Sequence, residues 1–218
     1  MKTNNCQITD IDNINGFMVQ MIENPSGLEK TMQEKLVKEL NVLTAAIFNK
    51  ATPIEETWER TVGVDIVYLI KNQDEIVGYT TNDLMKLNGR KMNYFSSAFI
   101  KRDLQDHGLY HEINNIRFNT HPTDVIMTRT QTPIVISGFK RLCDENGFTM
   151  FPSGGLVPPD IMNIARAYDP NVNFSLVCKG VYGRALMDDT PEPRDDVRSM
   201  FNMINVNNGD GMILIGTK

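Results

Sequence analysis

Disulfide chemistry is the first thing this chain lacks. Its three cysteines, Cys6, Cys143 and Cys178, are odd in number, widely spaced and in no C-x-x-C pair. That pattern argues against a disulfide scaffold and against a cysteine-bound zinc. No apolar run approaches the ~18 residues needed to cross a bilayer, and the polar stretch Met1 to Asp12 is unlike a signal segment. A soluble cytoplasmic protein without a membrane partner is therefore expected. A basic surplus is missing too: 22 Lys and Arg stand against 27 Asp and Glu, a formal net charge of −5. Nucleic acid is thus not an expected partner, although a cationic substrate such as an amine is compatible with that charge. Internal repeats and low-complexity tracts are absent as well.

What is present suits one large domain or a domain with an extension: 218 residues, 41% of them hydrophobic, enough to bury a sizeable core. The 13 methionines read as core filling. Residues 26 to 49 read as an amphipathic helix. Ser26 is its N-cap, with Glu29 completing a capping box, and Leu28, Met32, Leu36, Leu40, Leu43 and Ile47 recur at helical spacing. A shorter helix follows Pro53 and carries Glu55, Glu56 and Trp58.

The period then changes. Asp65 to Lys71 and Glu75 to Thr81 are apolar, β-branched runs joined by a turn at Asn72-Gln73-Asp74. A polar connection from Asn82 to Lys91 leads to a third run, Met92 to Ile100. Leu109, Ile113 and Ile116 then share one helical face, and Asp124 to Thr130 reads as a strand. Pro133 opens a helix that runs to Asn146 and stops at Gly147. Phe148 to Phe151 is a short strand, Pro152 to Pro159 a loop, and Ile161 to Tyr168 a helix. Phe174 to Tyr182 and Met212 to Gly216 read as strands, with a helix from Asp195 to Met203 between them. This order describes an α+β fold with a mixed, mostly antiparallel central sheet flanked by helices. Its β-α-β portion brings two strands parallel through a right-handed crossover.

The segment most loaded with chemistry lies between Tyr94 and Tyr110. A strand ends at Ile100, a polar loop with a single glycine follows, and a helix begins. Free backbone N–H groups in a first helical turn, together with the helix dipole, attract an anion, and Gly108 lets a bulky phosphate come close. Competing constellations are weaker. His107 and His111 share a helical face and could hold a metal with Glu112 or His121, but the H-E-x-x-H pattern is missing and no metal is expected. Cys143 and Cys178 have no local signature of a nucleophile. The loop Ser153 to Pro159 reads as a connector or a substrate-side lid. Asp188, Asp189, Glu192, Asp195 and Asp196 read as a solvated turn and helix start, or as a surface for a basic acceptor.

With Gln105-Asp106-His107-Gly108-Leu109-Tyr110 on view, the chain resembles the GNAT superfamily of acyl-CoA-dependent N-acyltransferases. The signature there is Gln or Arg, two residues, Gly, one residue, then Gly or Ala. The first two fixed positions match, and Tyr110 departs from the third. Glu75 to Tyr79 resembles the family's third strand, and Thr128 to Pro133 its acceptor-side segment. The resemblance covers residues 62–151, the acyl-CoA-binding core. Residues 1–61 become an N-terminal helical extension and 152–218 a C-terminal elaboration on the same domain.

The resemblance implies transfer of an acetyl or other short acyl group from coenzyme A to a primary amine of a small molecule or peptide. Backbone N–H groups of Gln105, Asp106, His107, Gly108, Leu109 and Tyr110 would cradle the pyrophosphate. A strand bulge near Ala98 to Ile100 would open the pantetheine cleft, and the N–H of Phe99 or Ile100 would polarise the thioester carbonyl. Ser97 (or its neighbour Ser96) is a candidate to hold a proton-carrying water. Cys143 stands where many members place the tyrosine that protonates the leaving thiolate, and it reads either as that donor or as a packed core residue. The rival from another class is a catalytically silent module of the same fold that binds an acyl-CoA or another ligand. An acyl-carrier-protein-dependent transferase is a further alternative, with Lys101-Arg102 as its docking patch.

Overall fold

The computed structural model describes residues 5–187 and 190–218, with Asp106 described by its backbone alone. The strands are β1 (Gln7–Ile14), β2 (Phe17–Glu23), β3 (Ile66–Asn72), β4 (Glu75–Leu87), β5 (Arg90–Ile100), β6 (Val125–Thr130), β7 (Thr149–Phe151), β8 (Val177–Cys178) and β9 (Gly211–Thr217). The helices are α1 (Lys30–Phe48), α2 (Ile54–Thr61), α3 (Leu109–Thr120), α4 (Pro133–Glu145), α5 (Pro159–Tyr168) and α6 (Asp195–Phe201). This is the α+β class with a mixed, mostly antiparallel sheet. The chain forms two compact units. One runs to Leu84 and adds Phe95–His121; the other combines Met85–Tyr94 with Pro122–Lys218. Strands β4 and β5 each contribute residues to both.

In the first unit β1, β2, β3 and β4 follow one another as antiparallel neighbours. Strand β3 is apolar at almost every position because both of its faces are covered. Its odd and even residues point to opposite sides. Val67 and Leu69 join Leu36, Leu40, Leu43 and Ile47 of α1, with Tyr79 and Phe99, in one cluster. Ile66, Tyr68 and Ile70 join Ile100 and the α3 residues Leu109 and Ile113 in the other.

In the second unit β5 and β6 are parallel, pairing Met92 with Val125, Asn93 with Ile126 and Tyr94 with Met127. Strand β9 is antiparallel to β6, β7 and β8. Helix α5 supplies Ile161, Met162, Ile164 and Ala165 to a cluster with Val125, Met127, Ile213 and Ile215. On the opposite face a Cβ on Gly216 would stand 2.8 Å from Cys143 Sγ of α4 and 2.9 Å from Ile126 Cγ1, so only glycine lets α4 seat there.

Several sequence expectations need correction. Residues 1–61 are not simply a helical extension, because a β-hairpin, β1 and β2, precedes α1 and β2 pairs with β3. Its turn, Asn15-Gly16, has φ of 51° and 92°, the paired positive values that favour Asn-Gly in two-residue hairpins. The connection Asn82 to Lys91 is mostly strand, interrupted only by a second such turn, Asn88-Gly89 (φ 49° and 81°). Ser26 does not cap α1. It lies in a 3-10 turn (Pro25–Gly27) with its hydroxyl 2.8 Å from Asn24 Oδ1, and α1 begins at Lys30 without a side-chain cap. Gln33 fastens that turn instead, donating to the Ser26 and Leu28 carbonyls at 2.9 and 2.8 Å. The expected strand Phe174 to Tyr182 shrinks to Val177–Cys178, because Asn173 Oδ1 accepts from the N–H of Ser175 and Val177 and folds the preceding stretch into a turn. Asp188 and Asp189 lie outside the described residues.

Candidate functional site

Strand β5 delivers the sequence-nominated residues into the loop. Ser96 and Ser97 are half-buried; Phe99 and Ile100 are buried and face opposite clusters. Pairing across β4 is close here: a Cβ on Gly78 would stand 2.9 Å from the Phe99 carbonyl, and Lys101 N–H donates to Val77 O at 3.0 Å. The register of β4 against β3 shifts at this level, between Ile70 and Lys71. An irregularity therefore exists next to Phe99 and Ile100, on the neighbouring strand.

After Ile100 the chain makes a 3-10 turn, Arg102–His107, and Gly108 takes a left-handed conformation (φ 76°) before α3 starts. Gln105 closes the loop, donating from Nε2 to the Ile100 carbonyl at 2.9 Å. The loop is tied elsewhere by Arg102, whose Nε donates to Ile47 O at 2.9 Å, and by the Lys101–Glu75 ion pair. Asn15 Nδ2 lies 3.4 Å from the His107 carbonyl. Gly108 is required for its backbone angle, and a Cβ there would meet no atom within 4 Å. In the first turn of α3 the His111 N–H donates to the Gly108 carbonyl at 3.0 Å, and Gly108 provides no side-chain cap.

Tyr110, the departure from the family signature, turns into the protein. Its ring packs on the cluster of Leu109 and Ile113. Burial raises its phenol pKa, against the lowering effects of a hydrogen bond with Asn114 and the charge of Arg117. Arg117 itself was not singled out from the sequence. It is buried at 1% exposure, with Nε donating to Asn82 Oδ1 (2.7 Å), Nη1 to Asn114 Oδ1 (2.9 Å) and Nη2 to the Thr81 carbonyl (2.7 Å). Desolvation lowers its pKa to about 10, against the raising influence of Tyr110 and Tyr68. A signal existed: positions 109, 113 and 117 form one helical stripe, and an arginine on an apolar stripe asks for a buried partner set.

Cys143 belongs to the second unit. It is fully buried, and desolvation with the nearby Asp144 charge pushes its thiol up to about 12. In the acceptor-like segment Gln131 is an anchor: its Oε1 accepts from Leu186 N–H at 2.6 Å, and its Nε2 reaches the Arg184 and Asp210 carbonyls at 3.3 and 3.4 Å. Among the described residues no group of three His, Cys, Asp or Glu is placed to hold a metal ion, and no helix is long and apolar enough to cross a membrane. His111 shares a contact with Asn115 at 3.2 Å.

No family model matches the chain, and no curated protein matches it. Solved structures do. The diaminobutyrate acetyltransferase of Paenibacillus lautus, in complex with L-2,4-diaminobutyric acid and coenzyme A, is 11% identical at a TM-score of 0.49, covering 93% of this chain and 96% of that one. The ribosomal-protein-S18-alanine N-acetyltransferase of Escherichia coli is 8% identical at a TM-score of 0.49, covering 91% and 92%. An aminoglycoside acetyltransferase from an uncultured soil metagenomic sample, in complex with sisomicin, is 14% identical at a TM-score of 0.43, covering 59% and 87%. All three of those proteins are acetyltransferases. With identities this low, the functional weight falls on the chain's own residues.

Proposed function

We propose that this chain is an N-acyltransferase that moves an acetyl or other short acyl group from coenzyme A to a primary amine of a small molecule or peptide. The observation that carries the reading is the element from Ile100 to Tyr110. A β-strand end is locked by Gln105 onto the Ile100 carbonyl, and a left-handed Gly108 then opens α3 without a side-chain cap, a Cβ at that glycine meeting nothing within 4 Å. The N–H groups of this element and the helix dipole would hold the pyrophosphate. The Tyr110 ring is spent on core packing.

In this proposal Phe99 or Ile100 N–H polarises the thioester carbonyl as negative charge develops on its oxygen. The neutral amine attacks the carbonyl carbon, the C–S bond breaks, and the thiolate of coenzyme A leaves. Ser97 holds a water that carries away the ammonium proton. Positioning supplies much of the rate, so no covalent enzyme intermediate is needed.

One observation favours a second reading. The Cys143 thiol is buried and held at about 12, so the position where family members often keep a proton donor is filled by a packing residue. A module that binds acyl-CoA without turnover would have the same feature.

Calorimetric titration with acetyl-CoA, longer acyl-CoAs and free coenzyme A tests the proposal. Micromolar binding with a chain-length preference supports it, and release of thiol in the presence of an amine panel separates the transferase from the silent module. Absence of binding to every acyl-CoA removes both readings.

A further inference from the structure

A groove of about 540 Å³ in the second unit is lined by Asn88, Arg90, Asp160, Asn163, Ile164 and Arg166. Neither arginine takes part in an ion pair among the described residues, although the chain as a whole carries a net charge of −5. Two guanidiniums facing one concavity against a single carboxylate, Asp160, make a local positive exception on an acidic protein. The walls are built. Asn88 Nδ2 donates to the Asn163 carbonyl at 2.9 Å and fastens the Asn88-Gly89 turn to α5. Positions 160, 163 and 166–167 follow one another along the same face of that helix. Arg166 also lies over the ring of Phe174, 5.1 Å from its centroid, and that ring is 77% exposed.

From this arrangement we infer that the groove binds a nucleoside monophosphate. Each guanidinium presents a planar fork that matches phosphate oxygens. A pocket this size exceeds inorganic phosphate and fits a small organic ligand. Phe174 lies outside the lining of the groove with Arg166 over one face of its ring, and that largely exposed ring offers a flat surface on which a base can stack. The Asp160 carboxylate and the Asn163 amide can accept hydrogen bonds from the amino groups of a base. The same chemistry is available from a free nucleotide and from the nucleotide portion of coenzyme A. The groove does not depend on the acyltransferase reading, since its residues are separate from the Ile100–Tyr110 element.

The test is calorimetry on the full chain with AMP, adenosine, inorganic phosphate and acetyl-CoA, each against wild type, the double variant Arg90→Ala/Arg166→Ala, and Phe174→Ala. All three side chains are at the surface, and thermal melts will verify that the variants fold. AMP is expected to bind at least about tenfold more tightly than adenosine or phosphate, with a loss of about tenfold or more in the double variant. Phe174→Ala should cost about fivefold or more, the scale of one stacked base. If acetyl-CoA binding survives the double substitution while AMP binding is lost, the ligand is a free nucleotide. If both fall together, the groove is not a separate nucleotide site and the assignment is overturned. No AMP binding by wild type, or equal binding by the double variant, overturns the assignment.

Discussion

The guanidinium of Arg117 lies 4.2 Å from the ring centroid of Phe95, and its fork donates to Thr81 and Asn82 of β4 and to Asn114 of its own helix. One side chain thus ties α3, the helix that opens at the candidate anion site, to the strands beside it. Removal would leave the Thr81 carbonyl and two amide oxygens buried without their donor. Arg117→Ala should cost at least about 3 kcal/mol, because each orphaned buried polar group is worth about 1–3 kcal/mol. Arg117→Lys should recover less than half, since an ammonium lacks the planar fork. Urea titrations of the three proteins measure both differences. Full recovery by lysine would show that charge alone matters at this position.

His121 gives the pH dependence. Desolvation lowers its pKa below the usual 6.5, only partly offset by Glu23, whose Oε1 is 3.7 Å from Nε2. A depressed basic group binds its proton more readily in the unfolded chain, so stability is present above 6.5 and is lost as pH falls from there towards the folded value. Thermal midpoints should therefore decline between pH 7 and 5, and His121→Gln should flatten that decline. A variant with an unchanged slope would assign the decline to another group.

Asp210 is 1% exposed, yet it stays ionised. Burial acts to raise its pKa, but hydrogen bonds from Lys179 Nζ (2.7 Å), Gly180 N–H (3.0 Å) and Asn205 N–H (3.0 Å) outweigh that and hold it below the usual carboxylate range. With Gln131 gripping Leu186 and Arg184, it pins the stretch 179–186 down. Asp210→Ala should lose about 2–4 kcal/mol, the scale of two buried N–H groups left without an acceptor. The test is a denaturant midpoint above pH 5. A loss below about 0.5 kcal/mol, the scale of a neutral surface change, would mean that water replaces the carboxylate.

Much of this architecture was legible in the residues. The continuous apolar run from Ile66 to Ile70 announced a strand covered on both faces, and Pro133 and Gly147 marked the ends of α4 as seen. The misses have local causes. Asn15-Gly16 and Asn88-Gly89 are both strong two-residue hairpin signals. Their flanking strands are polar on one face, with Asp10, Asp12, Lys86 and Lys91 all exposed, and that polarity masks the hairpin pattern. The Ser26 capping box failed because Pro25 favours a 3-10 turn, which Gln33 then secures from three residues inside α1. At the candidate site, the loop and its glycine could be read from sequence. Arg117 left a signal on the 109/113/117 stripe, but its partners Thr81 and Asn82 come from far along the chain; the inward turn of Tyr110 left none.

Cysteine chemistry provides the sharpest separation of the two roles open to Cys143. The thiols of Cys143 and Cys178 are buried and pushed up to about 12, in both cases mainly by desolvation. Burial also raises Cys6, but that residue remains half-exposed. A thiol reagent at pH 8 should therefore modify Cys6 first in the native protein and reach the other two only on unfolding. If Cys143 is a packing residue, Cys143→Ala should cost about 1–2 kcal/mol of stability through the small cavity against Gly216 and Ile126. Turnover, once an amine acceptor is in hand, should stay within about a factor of three, which is under 1 kcal/mol in the barrier. A hundredfold drop in turnover with an unchanged melting temperature would instead make the thiol the proton donor, whatever its burial. Cys143→Ser then distinguishes the cases again: an added hydroxyl in an apolar site should destabilise a packing position more than alanine does, whereas a proton-donating position would recover activity over alanine.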